Sequence, residues 1–319
     1  VPTDDVEEFK KYVQIDRECN SLKEYLDKFY YPLRVFDNPV NIKRVTEEVL
    51  EDASKMGVKY MELRFAPFFG SEKYDPSLRV DYALEGIKEA KKKYGIESGL
   101  ILCAMRHEDE KDVIKVLELA DKYENKGVIG VDLAGNEADF PPSLHKGAFK
   151  AWNKKGLMVT IHAGETGVSD NISKSIELLK ADRIGHGVAA KNDMDLIKKL
   201  SKTKIPLEMC IKSNLDTKAV KDLKSHPFRK FFEMGVRVTL NTDDTTVSNT
   251  NILNEYGMLL KMGFNMREIF KVVKNGIEAS HAPERVKKSM LTELRDKENI
   301  YIKRMIKQNN KDKVQKFER

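Results

Sequence analysis

Three apolar runs in this chain each end on a residue able to bind metal or move protons. Val159-Thr160-Ile161 leads into His162-Ala163-Gly164-Glu165, Arg183-Ile184-Gly185 into His186-Gly187, and Val238-Thr239-Leu240-Asn241 into Thr242-Asp243-Asp244. His186 follows His162 by 24 residues and Asp243 follows His186 by 57, so the groups belong to separate strands. Loops from the carboxyl ends of successive strands converge on one face of an α/β barrel. Imidazole nitrogen and carboxylate oxygen without thiolate suit a catalytic zinc or similar divalent ion that keeps a position for water. Such an ion lowers the pKa of bound water toward about 7. Glu165 and His186 are then the groups to move protons, each a contribution of about 10²–10⁴ in rate when positioned. Side chains alternate along a strand, so Asp243 and Asp244 point different ways; one can bind metal while its neighbour contacts substrate.

Each residue alone has a plainer reading. A histidine after a strand is more often a hydrogen-bonded core or cap residue, which is the reading for His107, His145, His226 and His281, with His226-Pro227 opening a helix. Paired aspartates often cap the next helix, and Gly164, Gly185 and Gly187 suit ordinary turns. The occurrence of all of them at three strand ends favours a site.

The elements that must position these groups alternate in type. Strands are expected over Val58 to Ala66, Gly99 to Met105, Val128 to Leu133, Leu157 to Ile161, Asp182 to His186, Ile205 to Cys210 and Val236 to Asn241. Helical periodicity separates them, over Leu84 to Lys93, Asp109 to Lys122, Ser143 to Lys155, Ile172 to Leu179, Met194 to Lys202 and Pro227 to Met234. Near-continuous apolar strands between helices point to an α/β fold with a parallel sheet covered on both faces. The expectation is a (β/α)8 TIM-type barrel as one domain over residues 1–319. Its parts are helices over 1–57, seven βα units over 58–244, and closing helices over 245–319 at Ile252 to Lys261, Met266 to Ala279 and Ala282 to Ile306. A closed barrel of this kind has eight strands, and no strand candidate precedes Val58.

Composition excludes several classes. The 319 residues suit a barrel of roughly 250 residues with additions. Hydrophobic content of 40% beside 34% charged residues argues for a folded core over disorder. No run approaches the ~18 apolar residues of a membrane span. The net charge of +6 is concentrated in Lys303 to Arg319, which carries +5 of it, and reads as a solvated helix end and not a nucleic-acid site. Cys19, Cys103 and Cys210 are widely spaced and odd in number, which fits a reducing, cytoplasmic setting and argues against a cysteine-zinc site. No signal peptide is visible, though a start at Val1 gives that little weight.

His162-Ala163-Gly164-Glu165, Arg183-Ile184-Gly185-His186-Gly187 and Asn241-Thr242-Asp243-Asp244, in this order and at this spacing, resemble the signature motifs of the adenosine deaminase family of the amidohydrolase superfamily. Leu133-Ala134-Gly135-Asn136-Glu137, Glu208-Met209-Cys210-Ile211-Lys212-Ser213-Asn214 and Leu63-Arg64-Phe65-Ala66-Pro67 resemble further stretches, so the similarity covers nearly the whole chain. The resemblance implies one zinc ion with His162 and Asp243 as ligands, and His186 orienting or deprotonating the attacking water. It implies Glu165 as the acid at purine N1, Asp244 in contact with N7, and the Gly135 N–H reaching N3. Hydrolysis at C6 would release ammonia and turn adenosine or deoxyadenosine into inosine or deoxyinosine, a step of purine salvage. The implied partner is a small purine nucleoside, with no nucleic acid or membrane, in a monomer or weak homo-oligomer.

The family also has a His-X-His pair at the end of its first strand, supplying two more zinc ligands. This sequence has no His-X-His, and its first histidine is His107. One strand and two ligands are short in the same segment. The expectation is therefore that the parent protein carries that strand upstream of Val1, and that this chain alone binds zinc poorly. Thr245 also stands where a proline often follows the paired aspartates, and His281 where an aromatic is common. Alternatives are deamination of adenine or another adenosine derivative, an inactive nucleoside-binding barrel if the chain natively starts at Val1, or another metal-dependent hydrolase on the same barrel.

Overall fold

Short polar side chains start the N-terminal helices. Asp5 caps α1 (Val6–Val13) by accepting from the Glu7 and Glu8 N–H groups, and Ser21 caps α2 (Leu22–Asp27) by accepting from Glu24 N–H. After α3 (Tyr30–Val35), Asn38 caps α4 (Pro39–Lys55), where Pro39 occupies a first-turn position whose N–H has no intrahelical partner. α4 packs along α5 (Pro76–Tyr94). Gly86 lets the two backbones close, since a Cβ there would lie 2.6 Å from the Lys43 carbonyl oxygen. The computed structural model describes residues 2–15, 19, 21–69, 73–152, 154 and 156–317, with side chains as far as residue 305.

The strands and helices then alternate: β1 (Tyr60–Phe65), α5, β2 (Glu97–Met105), α6 (Glu110–Tyr123), β3 (Val128–Ala134), α7 (Lys146–Ala151), β4 (Met158–Ala163), α8 (Ser169–Leu178), β5 (Arg183–His186), α9 (Met194–Thr203), β6 (Leu207–Met209), α10 (Ile211–Asp216), α11 (Phe228–Glu233) and β7 (Val238–Leu240). The chain closes with α12 (Ile252–Lys261), α13 (Met266–Ala279) and α14 (Glu284–Phe317). The seven strands pair in parallel in chain order, as the alternation of the sequence requires.

Several details differ from expectation, among them β7, which is shorter than Val236 to Asn241, and α5, which begins before Leu84. β6 is shorter than Ile205 to Cys210 because Pro206 has no N–H to give to a ladder. The helix expected over Ser143 to Lys155 is a 3₁₀ turn at Pro142–His145 followed by α7. It stops at Trp152, whose backbone turns extended and whose Nε1–H donates to Asp121, and Lys155 lies outside the described residues. α10 was not anticipated; it follows β6 directly and buries Ser213 and Asn214. The side chains of most of the basic tail, from residue 306 on, also lie outside those described.

Parity along the strands separates two environments. Leu63, Leu102, Val131, Leu133, Val159, Ile161, Ile184, Leu207, Met209 and Val238 belong to one apolar core shared with the helices. The alternate positions carry Glu62, Arg64, Asp132, Thr160, His162, Arg183 and Glu208, and these meet one another. Arg64 on β1 lies 2.7 Å from Asp132 on β3 and 2.9 Å from Glu208 on β6, while Arg183 on β5 lies 2.6 Å from Glu62 on β1. Strands five places apart touch through side chains only if the sheet curls round, so this TIM-barrel-like sheet wraps a charged interior.

Candidate active site

His162, one residue before the end of β4, faces that interior. In register, it lies opposite Gly185 of β5. A Cβ at Gly185 would come within 3.1 Å of His162 Cα and 3.2 Å of its ring, so the glycine makes room for the imidazole. Asp132 Oδ2 lies 2.9 Å from His162 Nδ1 and leaves Nε2 free. Burial by itself would push the His162 imidazole down, but the Asp132 carboxylate outweighs it and holds the ring above its ordinary value. Asp132 is itself held well below the usual carboxylate range: burial opposes this, and His162 and Arg64 overcome it.

The turn after His162 is tied from beneath. Gly164 adopts a left-handed φ of 76°, and the Glu137 carboxylate accepts from the N–H groups of Gly164 at 2.9 Å, Glu165 at 2.5 Å and Thr166 at 2.8 Å. Asn171 Nδ2 adds a fourth donor at 3.0 Å. These contacts fix the backbone that carries Glu165, whose side chain is only 10% exposed.

His186 and Asp243 both have positive φ, 63° and 56°. Non-glycine residues in that region cost of order 1–3 kcal/mol each and gather at functional sites. Here the turns aim the two side chains at each other: His186 Nε2 lies 3.9 Å from Asp243 Oδ2 and 3.7 Å from Glu165 Oε2. The rings of His186 and His162 meet edge to face at 5.0 Å. Ser213 Oγ donates to Asp243 Oδ2 at 2.7 Å. Asp243 is drawn below its ordinary value, with burial opposing and His186 and His162 prevailing. Its neighbour Asp244 is pushed up, first by burial and then by the Asp243 charge, and one of its oxygens accepts from Val247 N–H at 2.6 Å. That bond closes the turn after β7 and caps no helix, since Asn251 caps α12; the capping reading of the aspartate pair fails. Gly135, directly after β3, has a φ of 110° that suits glycine.

Cys210 joins the cluster, its Sγ lying with ligand atoms of His186 and Asp243 all within 4.8 Å. Burial raises its thiol well above the ordinary value, so the imidazoles and carboxylate are the stronger donors. The structure thus brings His162, Glu165, His186 and Asp243 together. His145 is the buried structural histidine expected, its Nε2 3.0 Å from the Arg106 carbonyl. His226 is more than the start of a helix: it bonds Asn214, which bonds His186.

Sequence reasoning gave no role to Arg64, Asp132, Glu137, Arg183, Glu208 or Asn214. The available signal was a lone charge inside an apolar strand, as in Val131-Asp132-Leu133 and Leu207-Glu208-Met209. Glu208 is held at about 2; burial would raise it, and Arg183 and Arg64 reverse that. A carboxylate depressed on folding contributes stability in full above its ordinary value of 4.5, and that contribution is lost as pH falls toward about 2. Urea midpoints measured across that window are expected to drop with acid, and Glu208→Gln should flatten the slope.

A family model described as adenosine deaminase matches residues 1–297. The adenosine deaminase of Clostridium acetobutylicum is 50% identical over 296 residues, covering 92% of this chain and 88% of that protein. The crystal structure of an adenine deaminase from Arthrobacter aurescens superposes with a TM-score of 0.86 at 25% identity, over 93% of this chain and 90% of the other. An N6-mAMP deaminase from Arabidopsis superposes at 0.81 with 26% identity, over 92% and 89%.

Proposed function

This chain belongs to the adenosine deaminase family of hydrolases, and from that premise we propose that it converts adenosine and deoxyadenosine to inosine and deoxyinosine with release of ammonia, as a cytoplasmic step of purine salvage. The observation that carries this reading is the convergence of Glu165 and Asp243 on His186 Nε2, at 3.7 and 3.9 Å, beside His162.

An imidazole nitrogen from His162 and a carboxylate oxygen from Asp243 fit as two of the ligands of a divalent zinc ion. Asp132 occupies His162 Nδ1 and leaves Nε2 as the ligating nitrogen, the usual arrangement of a carboxylate behind a metal-binding histidine. His162 and Asp243 would hold the ion. When bound, it supplies Lewis-acid activation of water near neutral pH.

The protein's own groups do the rest. Glu165 gives a proton to ring N1, which withdraws electron density from C6 and opens it to attack. His186 contacts the attacking water through Nε2, orienting it or taking its proton. Asp244, whose carboxyl burial pushes up, contacts ring N7. The Gly135 N–H reaches N3. The reading extends over residues 1–319 as one domain.

Ammonia release by the zinc-loaded protein on a panel of adenosine, deoxyadenosine, adenine and N6-methylated AMP tests the proposal. Turnover led by the nucleosides is expected; none on any adenine nucleoside overturns it. Deamination of adenine or a substituted AMP is the second reading, favoured by the names of the two solved structures but at 25% and 26% identity against 50%. Binding without ammonia release would instead mark an inactive barrel. Asp132→Asn is expected to weaken zinc binding by about 10–100-fold, measured by competition with a chelator.

A further inference from the structure

A chain of hydrogen bonds with a fixed sense reaches the other ring nitrogen of His186. It begins at the Phe228 backbone N–H, which donates to His226 Nδ1 at 3.2 Å. His226 is buried, and that burial, helped by Lys191, pushes its imidazole down to about 3. The ring is therefore neutral, and with Nδ1 accepting, its single proton is on Nε2. Nε2 faces Asn214 Oδ1 at 3.3 Å, so the amide oxygen accepts. The Asn214 NH₂ group is then left facing His186 Nδ1 at 3.0 Å. An amide NH₂ only donates, so His186 Nδ1 must accept. The sense of the whole chain follows from a backbone amide and does not depend on how the Asn214 side chain is turned at the outset.

We propose that Asn214 and His226 are positioning residues that hold His186 as the Nε2–H tautomer, so that the nitrogen facing Glu165 and Asp243 presents a hydrogen-bond donor to the attacking water and does not take its proton. The inference rests on the reading of His186 as the group that touches that water, and it decides between the two roles left open for it. Asn214 is fully buried and His186 nearly so, which shields the relay from water that would scramble its direction. The parts come from β5, α10 and the turn before α11, so the relay ties the site to the start of α11.

Long-range ¹⁵N NMR of the histidine-labelled chain, with and without zinc, reads the tautomer. A proton on His186 Nε2 and none on Nδ1 is expected; a proton on Nδ1 overturns the proposal. Asn214→Asp reverses the sense, because a carboxylate only accepts. His186 Nδ1 should then gain a proton, and kcat should fall about 10²-fold with KM changed far less. His226→Leu frees the Asn214 amide to turn over and should give a mixture of tautomers with a smaller loss. His226→Gln, whose NH₂ can donate to Asn214, should restore the Nε2–H signal and most of kcat. A loss in His226→Leu that leaves the tautomer unchanged and is not rescued by Gln overturns the relay. Should Asn214→Asp fail to fold, the wild-type spectrum and the His226 pair still decide. If no adenine nucleoside is turned over, the proposed function fails while the spectrum continues to test the relay.

Discussion

Glu165→Gln is expected to lower kcat for adenosine by about 10²–10⁴-fold, the contribution of one positioned proton donor, while KM moves far less. The amide matches the carboxyl in shape, so the turn held by Glu137 stays in place and the pocket keeps its volume. What is lost is the proton for ring N1, and with it the electrophilic character of C6. The loss should be one of kcat because the proton moves only as the transition state forms. Zinc content and the far-ultraviolet circular dichroism should match the parent chain. An unchanged kcat in a zinc-loaded variant would remove Glu165 from the chemistry and leave the acid role to another group.

Arg64→Met is expected to reduce the free energy of unfolding by about 3–5 kcal/mol, the cost of breaking a buried ion pair from one side. Arg64 is the shared cation of Asp132, which is fully buried, and Glu208, which is 6% exposed. Methionine fills much of the same volume but answers neither charge. Glu208 retains Arg183 at 2.7 Å and Thr160 Oγ1 at 3.1 Å, whereas Asp132 retains His162. The variant therefore also changes the charge behind His162, and zinc affinity should fall together with stability. Urea unfolding and chelator competition measure the two. A stability loss under about 1 kcal/mol would show that the interior face is solvated well enough to screen the pair, as at a protein surface.

Much of the site was legible as pattern. His162, Glu165, His186 and Asp243 were marked by polar residues closing apolar runs, and these four converge. His226 was not legible in the same way. Its bond to Asn214 spans 12 residues and the next bond, from Asn214 to His186, spans 28, and neither distance has a periodic signature. α10 was missed because Ser213 and Asn214 look like loop residues until their burial is known. Helix Ser143 to Lys155 was overextended because periodicity does not register the Trp152 contact that ends α7.

The sequence by itself determined the alternation of strands and helices, their parallel order, and which residues stand at strand ends, since hydrophobic period and side-chain parity are local properties of the chain. Only the tertiary structure decided which charge answers which. Glu62, Arg64, Asp132, Arg183 and Glu208 come from four different strands, and their pairing depends on how far the sheet curls. The direction of the proton on His186 likewise waits on a backbone amide at residue 228, because hydrogen bonds act over a few ångströms in space whatever the separation along the chain.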